Sequence, residues 1–187
     1  MFRNAESHFV NVPNIEIQRS KMKIPFEHKT SFNVGDVIPI YLNQDILPGD
    51  TVRMSHSAVV RMQTMLTPVM DNLVLDFYWF FVPYRLIWNH WKEFMQENTS
   101  GPWAPTTQYQ IPSISAPTGG FAVGTLADYM GLPVGVSWSN SDKNAPSALP
   151  FRAYAKIMDE FFRSEVVSYP LNIPMNDSNQ TSDKREP

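Results

Sequence analysis

The feature that most constrains this chain is the segment of residues 73–82, which is apolar on both faces of an extended strand. Because side chains alternate in a strand, one face carries Leu73, Leu75, Phe77, Trp79 and Phe81, and the other carries Val74, Asp76, Tyr78, Phe80 and Val82. A strand with one solvated face is polar on that face, yet Asp76 is the only charged residue here. Neither face is therefore suited to water.

Exposure of this segment would cost a large fraction of the stability of a domain. Full burial of the aromatic run 77–81 is worth roughly 7–15 kcal/mol, and the net stability of a whole domain is about 5–15 kcal/mol. We predict that flanking helices cover one face and that a second sheet or a neighbouring subunit covers the other. The alternative is a central strand in a self-sufficient monomer, although the chain offers few other elements to cover it.

The composition also favours a chain that needs partners. Charged residues make up 18% of the chain, below the roughly 25% of ordinary globular proteins. The 16 prolines against 8 glycines indicate long, defined loops. A net charge of −3 provides no global basic field toward nucleic acid. The longest apolar run is shorter than the roughly 20 residues of a membrane-spanning helix, so we expect no membrane partner.

The order of sequence patterns divides the chain into four parts. Residues 1–27 are predicted to form an extended N-terminal arm and residues 28–83 to form strands. Residues 84–167 are predicted to be an insertion with two main helices and a long Pro/Gly-rich loop. Residues 168–187 are interpreted as a polar tail, a truncated loop. The predicted strands are residues 30–42, 51–54, 58–66 and 73–82, with a turn at 47–50 between the first two.

Helical periodicity begins after residue 83. Apolar residues at positions 87, 91, 94 and 95 predict a helix over 85–97. Thr125 and Asp128 are predicted to open a short helix that ends at Gly131. The second main helix begins with a cap at Ser147 and a first-turn proline at Pro150. Its apolar stripe is Tyr154, Ile157, Met158, Phe161 and Phe162, and its polar side is Arg152, Lys156, Glu160 and Arg163.

Catalytic and metal-binding patterns are missing from the sequence. The four histidines, at positions 8, 28, 56 and 90, have no metal-ligand spacing, and the chain has no cysteine. The glycine-rich residues 119–124 lack the Gly-Lys-Ser/Thr ending of a phosphate loop. Asp159 and Glu160 are adjacent on a helix, so they point apart and cannot form an acid/base pair. We therefore predict no catalytic residue, no metal site, no cofactor and no enzymatic activity.

The residues that we expect to be buried, to form assembly contacts or to contact DNA are aromatic or basic. The candidate buried or assembly residues are Phe77, Tyr78, Trp79, Phe80, Phe81, Trp88, Trp91, Phe94, Phe161 and Phe162. The candidate weak DNA contacts are Arg3, Arg19, Lys21 and Lys23, which give the N-terminal arm a slight basic bias.

Several segments in a fixed order resemble one protein family. They are residues 29–40 (KTSFNVGDVIPI), 47–51 (LPGDT), 68–73 (PVMDNL), 80–88 (FFVPYRLIW) and 149–154 (LPFRAY), followed by Phe161-Phe162-Arg163. Taken together, they resemble the major capsid protein of microviruses, the small tailless single-stranded DNA phages, and in particular its gokushovirus branch.

The resemblance implies both a fold and a function. The fold would be a mainly β viral jelly-roll sandwich with helical and long-loop insertions, incomplete here because family members are considerably longer. The function would be a structural subunit of an icosahedral, T=1 bacteriophage shell around single-stranded DNA. Its partners would be other copies of the capsid protein, the missing C-terminal part of the fold and the packaged DNA. It would be assembled in the cytoplasm of the bacterial host and reside in the virion.

Two other function classes remain open at the level of sequence. In a jelly-roll carbohydrate-binding module, Trp79, Trp91 or Trp103 would form a sugar platform, although the first two fall on predicted buried faces. A single-stranded nucleic-acid binder would show a steep salt dependence. With a net charge of −3, we predict weak binding at most.

Overall fold

The computed structural model of the chain describes residues 20–43, 46–97, 108–140 and 144–180. We call the described residues between 20 and 83 the exposed segment and those between 84 and 180 the helical region. The exposed segment has neither helix nor strand in its described residues, and most of its side chains are solvent-accessible. The helical region contains the helices and the buried hydrophobic residues.

The prediction of a mainly β jelly-roll sandwich is wrong for the described residues. They contain no β-ladder, and their β-pairing is limited to isolated bridges, Ser113–Ser147, Ile114–Gln180 and Phe121–Val134. The predicted strands 30–42, 51–54, 58–66 and 73–82 have no strand assignment. A strand exists only when a neighbouring backbone supplies the hydrogen-bonded ladder. The alternation of apolar residues sets which side chains share a face, but it does not supply that neighbour.

The turn at residues 47–50 is confirmed. Asp50 N donates to Leu47 O at 3.0 Å, and Leu47 N donates to the Asp50 carboxylate at 3.0 Å. Gly49 lies at φ 89°, a conformation that a residue without a side chain adopts at little cost. The local turn chemistry is therefore sufficient to form this element even where no strands flank it.

The predicted helix over 85–97 is broken into two short pieces. A 3-10 turn spans Tyr84–Leu86, and α1 spans Trp91–Phe94. Between the two, Asn89 N donates to Met175 O at 3.0 Å, so its backbone group is used in a tertiary contact and not in a helix. Gln96, at φ 76°, ends the helical geometry.

Helix α2 spans Leu126–Tyr129, where the short helix was predicted. Thr125 precedes it, and the Asp128 carboxylate accepts a hydrogen bond from Gly124 N at 2.8 Å. Gly131, at φ 86°, donates its N–H to Asp128 O at 2.9 Å and ends the helix in a left-handed conformation.

Helix α3 spans Leu149–Ile157 and continues as a π-helical turn over Met158–Phe162. The predicted first-turn proline, Pro150, is confirmed, but the residue before the helix is Ala148 and not the predicted cap Ser147. Ser147 Oγ instead accepts a hydrogen bond from Leu149 N at 3.2 Å, one position further out. A second prediction also fails here. Arg152, expected on the polar side, is 1% exposed.

The hydrophobic core consists of two clusters that meet at α3. The larger contains Ile114, Phe121, Leu126, Ala127, Ala148, Phe151 and Tyr154. The smaller contains Ile87, Trp88 and Leu149, with Val82, Tyr84, Trp91, Phe94, Tyr109 and Ala153 packed against it. Because α3 contributes to both clusters, it is the central element of the helical region.

Candidate assembly surface

One side of the aromatic run 77–81 contacts the end of α3. The ring centroids of Tyr78 and Phe162 are 5.5 Å apart in an edge-to-face arrangement, and those of Phe80 and Phe161 are 4.9 Å apart. The π-helical turn brings Phe161 and Phe162 to this position. Aromatic pairs at such separations attract each other beyond their area burial, so these contacts join the exposed segment to the helical region.

The other side of the run contacts rings within the exposed segment. Phe77 and Trp79 lie 4.4 and 5.7 Å from His56 between ring centroids, and Trp79 lies 6.3 Å from Tyr41. Tyr41 in turn contacts Phe26 at 4.9 Å. The rings that contact Phe77 and Trp79 therefore differ from those that contact Tyr78 and Phe80, as alternation predicts.

These contacts leave much of the aromatic run open to solvent. Phe81 is 75% exposed, and Tyr78, Trp79, Phe80 and Phe161 are also exposed. We call Tyr78, Trp79, Phe80, Phe81, Phe161 and Phe162 the aromatic surface. Large exposed apolar patches on soluble proteins mark interaction sites, and here the described part of the chain does not supply a complete cover.

A cleft of about 240 Å³ opens beside the aromatic surface. Its walls come from residues 79–82, Leu86, and the Lys156, Ile157, Glu160 and Phe161 side of α3. Lys156 Nζ and Glu160 Oε1 form an ion pair at 2.6 Å. The cleft therefore combines an aromatic and aliphatic lining with one pair of opposite charges.

The end of α3 is held in place by Asp159. Its carboxylate accepts hydrogen bonds from Leu171 N at 2.9 Å and from Arg163 Nε at 2.8 Å. The backbone hydrogen bond from Leu171 lowers the pKa of Asp159, burial opposes this shift, and Arg163 and Lys156 lower the pKa further. Asp159 thus acts as an ionised anchor for the turn that presents Phe161 and Phe162.

The remaining predicted aromatic residues pack in the smaller core cluster. Trp88 is fully buried, and its ring lies 5.4 Å from Phe94 and 6.3 Å from Trp91. Trp91 and Phe94 are half-buried. Of the three tryptophans considered for a sugar platform, Trp91 packs against the smaller core cluster and Trp79 is 46% exposed in the exposed segment. Trp103 lies outside the described residues.

A set of polar contacts, which the sequence does not predict, connects residues 176–178 to Trp88 and to Arg152 of α3. Arg152 Nη1 donates to Asn176 O at 2.9 Å and to Ile87 O at 3.3 Å, and Arg152 Nη2 donates to Ser178 O at 2.8 Å. Trp88 Nε1 donates to Asp177 Oδ1 at 2.7 Å. We call Arg152, Trp88, His90 and Asp177 the polar latch.

Burial and neighbouring charges shift the pKa values of Arg152 and Asp177 in the polar latch. Burial lowers the pKa of Arg152, and the charge of Asp177 offsets part of that effect. Burial raises the pKa of Asp177, but the hydrogen bonds from His90 and Trp88 and the charges of His90 and Arg152 outweigh it, so its pKa is lowered overall. His90 Nδ1 lies 2.9 Å from Asp177 Oδ1, and its ring stacks on Tyr109 at 4.1 Å. The latch favours a charged Asp177.

The predicted DNA contacts are only partly within the described chain. Lys21 and Lys23 are exposed, whereas Arg3 and Arg19 lie outside the described residues. Where the structure describes the chain, no group of three or more His, Cys, Asp or Glu side chains is arranged to hold a metal ion. The helices in the same residues are all too short or too polar to cross a membrane.

Comparison with known sequences identifies the family. Residues 10–186 match the family described as "Capsid protein (F protein)". The chain belongs to this capsid protein family. The resemblance to microvirus capsid proteins is therefore confirmed.

Similar proteins are found in phages of several bacteria. The chain is 39% identical over 177 residues to Capsid protein VP1 of Bdellovibrio phage phiMH2K, covering 94% of this chain and 31% of that protein. It is 37% identical to Capsid protein VP1 of Spiroplasma virus 4 and 32% identical to that of Chlamydia phage 1, covering 94% and 95% of this chain. The chain spans 30–31% of the length of these relatives.

Proposed function

We propose that this chain is part of a structural subunit of an icosahedral phage capsid, which acts by self-assembly and not by catalysis. The observation that carries the proposal is the aromatic surface, which stays exposed although the helical region has its own core. Membership of the capsid protein family supports the same role. The protein would then reside in the virion after assembly in the bacterial cytoplasm.

Exposed apolar side chains outside the aromatic surface also support burial against other polypeptide. In the described residues, Val59, Met70 and Val74 are 89%, 93% and 82% exposed. Exposed apolar surface of this kind marks interaction sites, so neighbouring polypeptides are expected to cover it. Those neighbours would be other copies of the capsid protein and the remaining polypeptide of a longer, family-sized subunit, C-terminal to this chain.

Packaged single-stranded DNA would be a weaker partner. The exposed Lys21 and Lys23 could contact phosphates, with Arg3 and Arg19 of the N-terminal arm, residues 1–27. Because the net charge is −3, this contact would be non-specific and salt-sensitive. Nanomolar binding to single-stranded DNA at physiological salt would contradict a mainly structural role.

Sedimentation velocity of the full chain tests the proposal. We expect large species for the original sequence and a clear shift toward smaller ones for Phe81→Asp, which places a charge on the aromatic surface. Val123→Asp is the matched control, because Val123 is equally exposed but lies in the helical region away from that surface. A soluble, cooperatively unfolding monomer of the original sequence would contradict the proposal.

A further inference from the structure

The loop after α3 presents apolar side chains to solvent. Val166, Val167 and Tyr169 are 96%, 83% and 92% exposed. We call residues 164–169 the apolar loop. Exposed single apolar residues are ordinary, but three within four positions, two of them β-branched and one aromatic, form a compact projection.

The apolar loop is held in one shape by its own chain. Ser164 O accepts hydrogen bonds from Val167 N at 3.2 Å and from Ser168 N at 2.9 Å, and Ser168 O accepts one from Arg163 Nη1 at 3.0 Å. Asp159 then fixes Arg163 and the residue beyond the loop, Leu171. A loop that is ordered before it binds loses less conformational freedom on binding. These contacts suit the loop to dock as a rigid projection.

The cleft beside the aromatic surface has the size and chemistry to receive such a projection. A cavity of about 150 Å³ accepts benzene, so a cleft of about 240 Å³ has room for a tyrosine ring. Its lining of Phe80, Phe81, Leu86 and Ile157 matches the apolar part of the loop. Glu160, in the cleft wall, offers a carboxylate that a tyrosine hydroxyl can donate to.

The cleft and the loop follow one another along the chain, and no loop residue lines the cleft of its own chain. We propose that the apolar loop of one copy docks into the cleft of a second copy, with Tyr169 directed toward Glu160. This inference rests on the proposed capsid role and specifies one of its subunit contacts. The contact is head-to-tail, because each copy gives a loop and receives one. Such contacts close into rings or continue from copy to copy.

Engineered cysteines test the contact, because the chain has no cysteine of its own. A Val167→Cys variant is mixed under mild oxidation with a nitrogen-15-labelled Leu86→Cys variant, so that mass identifies mixed dimers. We expect several-fold more mixed disulfide than in the control, Val167→Cys with labelled Val59→Cys, because Val59 is exposed but lies in neither the loop nor the cleft. Adding Tyr169→Ser to the Val167→Cys chain should lower the yield toward the control.

Other outcomes would overturn the contact. A mixed yield equal to the control would mean that the loop of one copy does not enter the cleft of a second copy, and it would overturn the contact. A Val167→Cys/Leu86→Cys double variant that forms its disulfide within single chains at high dilution would mean that the loop reaches its own cleft. Sedimentation measured in parallel separates this contact from the proposed capsid role. If large species form but the mixed disulfide does not, the contact is overturned and the capsid role stands.

Discussion

The exposed segment and the helical region are both rich in aromatic residues, but the two regions differ in how those rings are buried and hydrogen-bonded. Trp88 of the helical region is fully buried, and its ring nitrogen donates to Asp177. Trp79 of the exposed segment contacts His56 and Tyr41 yet stays 46% exposed. Trp88 thus finds both its apolar and its polar partners along its own chain. The exposed segment finds a few ring contacts, and the rest of its partners must come from other polypeptide.

The largest difference in stability should appear when a phenylalanine is replaced by alanine in each of the two regions. Phe151→Ala removes a buried ring from the larger core cluster and should lower the free energy of unfolding of the full chain by about 3–5 kcal/mol. Phe81→Ala removes an exposed ring and should change it by less than about 0.5 kcal/mol while it reduces assembly. Urea unfolding at low protein concentration measures the first effect, and sedimentation measures the second. Equal losses of stability would remove the distinction between the regions.

Loss of the Arg152 side chain should have the next largest effect. Arg152→Met keeps much of the apolar stem but leaves the carbonyl groups of Ile87, Asn176 and Ser178 without their donor. Unsatisfied buried acceptors cost about 1–3 kcal/mol each, and partial access to water should limit the total to about 2–4 kcal/mol. Arg85→Met, at an exposed position nearby, is the control. A variant as stable as this control would show that the latch does not hold residues 176–178.

A smaller effect is expected where the two regions touch through a hydroxyl group. Tyr154 of α3 donates its hydroxyl to Val37 O at 2.7 Å. Tyr154→Phe should cost about 0.5–1.5 kcal/mol and speed amide exchange around residue 37, with exchange in α3 little changed. Amide exchange read by mass spectrometry resolves the two segments. Unchanged exchange around residue 37 would mean that this hydrogen bond does not hold the exposed segment.

The smallest effect concerns acid stability, because the Asp177 side chain is 44% exposed. Its folded pKa lies below the ordinary value of 3.8, so the folded chain binds this proton less readily than the unfolded chain. The stabilisation is present above pH 3.8 and is lost as the pH falls through the folded pKa. Asp177→Asn should flatten the acid limb of a stability–pH curve, which chemical unfolding at a series of pH values measures. Identical acid limbs for the original chain and Asp177→Asn would contradict this role.

The local features of the fold could be predicted from sequence, and the long-range ones could not. The turn at 47–50, α2 and the start of α3 depend on residues within a few positions of one another, such as Leu47 with Asp50. The strands failed because a ladder needs a neighbour that local alternation does not specify. The predicted helix over 85–97 is interrupted where Asn89 N donates to O of Met175, a residue far along the chain, and local periodicity does not specify such a contact.

The candidate site shows the same limit. The apolar run 77–81 and the stripe with Phe161 and Phe162 were visible in the sequence, because both are local patterns. The polar latch was not, since Asp177 is 89 positions from Trp88 and lies in a stretch that reads as a polar tail. Helical spacing puts the charged Arg152 on the polar side. Its burial could not be predicted, because its partners are backbone carbonyls, which carry no sequence signal.

Amide hydrogen exchange of the full chain tests the central comparison most directly, when it is measured on dissociated and on assembled protein. In dissociated chains, we predict fast exchange in residues 73–82 and slow exchange in α3. The reason is that α3 has helical backbone hydrogen bonds, whereas residues 73–82 belong to no helix or strand. On assembly, residues 73–82 should become protected while α3 changes little. If residues 73–82 already exchange as slowly as α3 in the dissociated chain, they do not need neighbouring polypeptide for protection. That result would contradict the account.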